Sequence, residues 1–148
     1  YIQCMEIDLN QHEQLQNIGA RHALRFIILH GSYATGKNHR GSDLDIAVLG
    51  TKPLTGKEIS TLHGELSRVF GDHAERELDL KSLHGTDPLF RYYVTRDSVL
   101  LYGDRTDFNE FKAYATRVFD DLQPLQRLEA LMLRKQNRLL TRTTLHHA

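Results

Sequence analysis

The stretch Asp-Leu-Asp-Ile-Ala-Val-Leu-Gly, residues 43–50, limits the possible folds more than any other part of the chain. An extended backbone there places Asp43, Asp45 and Ala47 on one face and Leu44, Ile46 and Val48 on the other. Upstream, residues 24–30 (Leu-Arg-Phe-Ile-Ile-Leu-His) form a bulky apolar run that stops at Gly31-Ser32 and reads as a buried strand. Such runs are far too short to cross a membrane. The sequence therefore sets two like charges side by side at the start of a strand, just after a tight polar turn. An enclosed carboxylate pair is costly unless a cation sits between its members.

The flanking segments supply helices and further strands. Residues 10–22 read as a helix, with Asn10 and Glu13 as a capping pair and Leu15 and Ile18 opening an apolar stripe. Thr55 and Glu58 form a capping box for a second helix, in which Ile59, Leu62, Leu66 and Val69 recur before a stop at Gly71. Residues 76–83 give a third strand, with Glu77, Asp79 and Lys81 on one face and Leu78 and Leu80 on the other. Asp87-Pro88 opens a short helix reaching about Thr95, and residues 98–103 give a fourth strand. From Asp107 onward, Phe108, Phe111, Ala115, Val118 and Leu122 form a helical stripe. Pro124 is expected to kink or restart that helix, and Leu125, Leu128, Leu131 and Met132 continue the apolar pattern beyond it. The expected class is α/β (α+β): a small mixed sheet flanked by helices, with C-terminal helices. One domain spans 1–148, with a core over about 10–105 and a helical extension over about 106–148.

The chain has 148 residues, of which 40% are apolar and 26% charged, a balance that suits one soluble globular domain. Lys plus Arg and Asp plus Glu each number 19, so bulk nucleic-acid binding is not its expected purpose. The single Cys4 cannot form an internal disulfide, and no signal peptide is visible, which points to the cytoplasm. His12, His22, His63, His73 and His84 lack zinc-ligand spacing, and His30 and His39 beside the turn read as structural or surface residues. Tyr92, Tyr93 and Tyr102 read as packing residues. The stretch 124–148 carries Arg127, Arg134, Lys135, Arg138 and Arg142 against one acid, Glu129.

Paired hard carboxylates suit Mg²⁺, which completes its shell with water and substrate phosphates. Two such ions can activate an attacking oxygen and stabilise a leaving one. Gly31 would let the backbone approach a phosphate, and Ser32 offers a hydroxyl and an N–H. A third carboxylate is desirable. Asp79 is the best candidate on the strand expected beside Asp43 and Asp45, and Glu77, on the same face, is the alternative.

Gly-Ser, ten residues, then Asp-any-Asp, here "GS", "YATGKNHRGS" and "DLD", resembles the signature of the nucleotidyltransferase superfamily that includes DNA polymerase beta. The downstream text, "ELDLKSLHGTDPLFRYYVTRDSVLLYG", looks like the third-carboxylate strand, short helix and closing hairpin of the minimal nucleotidyltransferases. These are the antitoxin partners of HEPN-domain toxins, and the likeness runs over about residues 10–105. The resemblance implies Asp43 and Asp45 as ligands of two Mg²⁺ ions, and Asp79 as third ligand and as the group that orients or deprotonates the attacking hydroxyl. It implies Gly31 and Ser32 as holders of the ATP triphosphate. It further implies transfer of AMP to a tyrosine of a HEPN ribonuclease, with a homodimer or hetero-oligomer possible. One departure is Thr35, where many relatives carry Arg; Lys37, His39 or Arg40 are the candidates to replace that contact. The alternatives are an antitoxin that neutralises by contact alone, and a nucleotidyltransferase acting on a small molecule such as an aminoglycoside, for which this chain leaves little room.

Overall fold

The computed structural model describes residues 7–145, with side chains over 7–138. Cys4 lies outside the described residues, and Arg142 outside the described side chains. The chain runs α1 (Leu9–Arg21), β1 (Leu24–Leu29), α2 (Gly31–Thr35), β2 (Leu44–Gly50), α3 (Gly56–Phe70), β3 (Leu78–Ser82), α4 (Pro88–Arg96), β4 (Val99–Tyr102) and α5 (Arg105–Leu145). The four strands form one sheet in the order β3-β2-β1-β4. β1 pairs antiparallel with β2 and β4, and β2 pairs parallel with β3. A parallel pair needs a long crossover, and α3 provides it.

The sheet is apolar on both faces because helices cover both. On one face Leu24, Ile27, Leu29, Leu44, Ile46 and Val48 pack with Leu15 and Ile18 of α1 and Leu62 and Leu66 of α3. On the other, Phe26, Ile28, Ala47 and Leu49 pack with Val94 of α4 and Phe108 and Phe111 of α5. Phe26 meets the rings of Phe108 and Phe111 at 5.4 and 5.6 Å. A bulge at the start of β1 makes this division possible. The pairing jumps from Leu24–Gly50 to Phe26–Leu49, so Leu24 and Phe26, two residues apart, face opposite cores. Arg25, left exposed by the bulge, closes on Asp107 of α5 through its Nε at 2.7 Å.

Element boundaries follow local chemistry. Thr55 and Glu58 form the expected capping box on α3, worth about 1 kcal/mol, and Gly71 ends that helix. Asp87 accepts from the Leu89 N–H, with Pro88 in the first turn of α4. Three expectations are corrected. α1 is capped by Asp8 and Gln11 in place of Asn10 and Glu13, and the Gln11 amide also donates to the Val69 carbonyl at 3.1 Å. That long-range bond selects between two polar patterns offset by two residues. α5 continues through Pro124 as one helix, so a single C-terminal helix replaces the expected pair. β4 closes the sheet against the far side of β1 rather than as a hairpin.

Tyr92 and Tyr102 pack as expected, Tyr92 stacked on Phe119 at 4.0 Å and Tyr102 against Gly19 of α1. Tyr93 is half exposed. Beyond Pro124, Leu125, Leu128, Leu131, Met132 and Leu133 are all more than half exposed. Among the described residues, no helix is long and apolar enough to cross a membrane.

Candidate functional site

The face of the sheet that carries Phe26, Ile28 and Ala47 continues past the cover of α4 and becomes polar. Strand alternation fixes the change: His30 follows Ile28 just past the end of β1, Asp43 just before β2 and Asp45 on it precede Ala47, and Asp79 and Lys81 on β3 precede Leu83 just beyond it. Asp45 and Asp79 are register partners across the parallel pair, which places carboxylates from neighbouring strands side by side. The expectation that Asp79 stands beside the Asp43-Asp45 strand is met. Glu77 lies just before β3 and is exposed; its carbonyl accepts from the Leu44 N–H at 2.7 Å, securing the entrance to both strands.

Asp43 is exposed and Asp45 half-buried. Burial pushes the Asp45 carboxyl up from its ordinary value, Asp79 and then Asp43 add to the rise, and Lys81 opposes it. The site therefore holds more negative charge than its cations balance. Gly31 meets Asp45 directly. It sits at φ 69°, and a Cβ added there would lie 2.2 Å from Asp45 Oδ2. Only glycine lets the turn pass this close to the carboxylate. The His30 N–H donates to the Asp45 carbonyl at 3.0 Å and ties the turn to β2.

Gly31 and Ser32 form the first turn of α2, whose N-terminus has no side-chain cap. The Ser32 carbonyl accepts from the Lys37 N–H at 2.9 Å, while its hydroxyl makes no hydrogen bond among the described residues. Thr35 folds back on its own helix and donates to the carbonyls of Gly31 and Ser32 at 3.1 and 3.3 Å. Of the candidates to replace it, Arg40 pairs with Glu75 at 2.5 Å and the His39 ring lies against the Arg40 carbonyl. Lys37 is exposed and makes no ion pair among the described residues.

Two residues matter more than sequence reasoning allowed. His30 has a buried Nε2 without a partner and stands edge-on to Phe90 at 6.3 Å. Burial pushes its imidazole down to about 4, Asp79 opposing and Lys81 adding to the fall. Its place immediately before Gly31 was the available signal. Lys81 ion-pairs with Asp79, Nζ to Oδ2, at 2.6 Å. The shared face of Asp79 and Lys81 was legible, but the pairing was not. Among the described residues, no three acidic, His or Cys side chains converge closely enough to hold a metal ion. The donor chemistry nevertheless fits a hard dication: oxygen ligands only, an excess of negative charge, and a glycine cradle against one carboxylate.

Known proteins resemble this chain over most of its length. The family described as Polymerase beta, Nucleotidyltransferase matches residues 13–107. A relative named protein adenylyltransferase MntA from Shewanella oneidensis is 29% identical over 100 residues, covering 68% of this chain and 69% of that protein. A second of the same name, from Aphanizomenon flos-aquae, is 28% identical over 129 residues, covering 80% and 82%. Among solved structures, the MNT antitoxin bound to tri-AMPylated Shewanella oneidensis HEPN toxin superposes with a TM-score of 0.62 at 20% identity, covering 83% of this chain and 97% of that one.

Proposed function

Starting from the chain's membership of the polymerase beta nucleotidyltransferase family, we propose that it transfers AMP from ATP to a tyrosine hydroxyl of a HEPN-domain ribonuclease toxin, and so acts in the cytoplasm as an antitoxin. The observation that carries this reading is the register pairing of Asp45 with Asp79, with Asp43 beside Asp45 and Gly31 packed against it. The names of the relatives and the AMP-bearing toxin held by a protein of this fold point the same way.

In the reaction the acceptor oxygen forms a bond to the α-phosphorus of ATP. The bond from that phosphorus to the bridging oxygen breaks, and pyrophosphate leaves. Asp43, Asp45 and Asp79 would hold Mg²⁺, two ions in this reading, which neutralises the phosphates and polarises the reacting oxygens. Gly31 admits a phosphate to the backbone, and the unengaged Ser32 hydroxyl donates to it. Asp79, 40% exposed at its side chain, would orient an incoming hydroxyl and take its proton. The Phe90 ring beside His30 forms the apolar border of the site.

Thr35 gives one observation in favour of a purely occluding antitoxin, because its hydroxyl is spent on the carbonyls of Gly31 and Ser32 in α2. The discriminating experiment incubates the protein with toxin, ATP and Mg²⁺ and measures the intact mass of the toxin. Added AMP with wild type, and none with Asp43→Asn or Asp45→Asn, is the expected result. Unmodified toxin that regains ribonuclease activity once the protein is stripped away would establish the occluding reading instead.

A further inference from the structure

Lys81 lies in the site with no part in the mechanism above. It shares the exposed face of β3 with Asp79, and its ammonium holds Asp79 Oδ2 at 2.6 Å. Asp79 in turn stands opposite Asp45 on β2, so the ammonium sits at the edge of the carboxylate group. The carboxylates meanwhile stop short of a metal-holding arrangement.

We propose that Lys81 is a built-in counterion that occupies Asp79 until a divalent cation displaces it, so that the third carboxylate joins the site only once metal is present. The inference rests on the reading of Asp79 as a metal ligand. The physical argument is competition. Clustered carboxylates repel one another, and folding them together without a cation is unfavourable. An internal ammonium relieves that repulsion in the metal-free protein. A flexible, half-exposed lysine is held weakly enough to be released. The device trades metal affinity for relief of the repulsion among the carboxylates.

The test measures divalent-ion binding directly, by Mn²⁺ titration followed by electron paramagnetic resonance and by Mg²⁺ calorimetry, together with melting temperature. Lys81→Met keeps the apolar stem and removes the charge. It should tighten metal binding about two- to five-fold, the range an exposed ion pair spans. It should also lower the melting temperature in EDTA and enlarge the rise on adding Mg²⁺, while Lys81→Arg should retain the wild-type behaviour. In an Asp79→Asn background, Lys81→Met should leave metal affinity unchanged, because the contested ligand is gone. An equal gain in both backgrounds would mean a diffuse charge effect and overturn the proposal. Unchanged affinity in Lys81→Met, with binding lost in Asp45→Asn, would overturn it while leaving the proposed function standing. Wild-type metal affinity in both Asp45→Asn and Asp79→Asn would refute the metal site itself.

Discussion

Gly31→Ala separates the demands of folding from those of chemistry. The added methyl group meets two obstacles. At φ 69° an L side chain costs about 1–2 kcal/mol. The unfolded chain loses some freedom in exchange, which offsets about 0.4–1 kcal/mol. The second obstacle is contact: the new Cβ would lie 2.2 Å from Asp45 Oδ2 and 3.0 Å from its Cγ, below or at the 3.0 Å that real contacts respect. The carboxylate must retreat by about 1 Å, and a misplacement of that size in a reacting constellation costs on the order of 100-fold. Because Asp45 is half-buried at the open end of the sheet, it can swing without emptying a core. The stability loss should therefore remain near 1 kcal/mol, a fall of a few degrees in melting temperature for a chain of this size. Thermal unfolding and AMP incorporation into the toxin, run on the same preparation, read both. Transfer within three-fold of wild type would refute the reasoning, as would a loss of activity matched by wholesale unfolding.

Gly19→Ala should destabilise by about 1–3 kcal/mol, because its Cβ would lie 2.5 Å from the Tyr102 ring between α1 and β4; equilibrium denaturation checks this, and Tyr102→Leu in the same chain should recover part of the loss. His30 predicts an acid-side effect. Its folded value near 4 lies below the ordinary 6.5, so the unfolded chain binds the proton first. Stability is then complete above about pH 6.5, declines as pH falls toward 4 and levels off below, by roughly 2–3 kcal/mol once partial exposure is allowed for. The groups facing the ring are Asp79, Lys81 and Phe90, and His30→Leu should flatten this part of the stability profile measured by urea titration. Removing residues 124–148 should weaken toxin association at least ten-fold with ATP binding preserved, since Leu125, Leu128, Leu131 and Met132 are exposed and each buried leucine contributes about 1.5–3 kcal/mol. Calorimetry with purified toxin decides it, and an unchanged affinity would remove this helix from the interface.

The sequence carried the elements well and their long-range adjustments poorly. Alternation in residues 43–50 and 76–83 put Asp43, Asp45 and Asp79 on sheet faces correctly because a strand's period is strict. Alternation does not set register across a parallel pair, and the opposition of Asp45 and Asp79 depends on how α3 returns the chain. The cap of α1 was misread because Asp8-Gln11 and Asn10-Glu13 look alike locally, and the bond from Gln11 to Val69 distinguishes them from far away. The bulge at Arg25 has no local mark, since its partner Asp107 lies on the last helix. At Pro124, where a kink or a restart is expected, the helix does not restart, as α5 continues through it. Lys81 was placed on the right face, but its capture of Asp79 depends on the charge around both groups, which no pattern of spacing contains.

The division of the sheet into two cores has a consequence for how the protein is made. β1, β2 and β3 are consecutive in the chain and neighbours in the sheet, and α1 and α3, which cover one face, are interleaved with them. A nascent polypeptide that has emerged only through residue 82 already contains every carboxylate of the site and one complete layer of helices. Its other face, with Phe26, Ile28, Ala47 and Leu49, is still bare, because the helices that cover it come from residues 88 onward. Emerging in that order, the acidic end of the sheet forms next to an apolar surface that only the later part of the chain can close. Truncated products should therefore be caught by chaperones or proteases through that surface, even though their acidic residues are all present. Under the proposed function, translation then yields no partly working antitoxin, since the site becomes durable only when the last helix has docked.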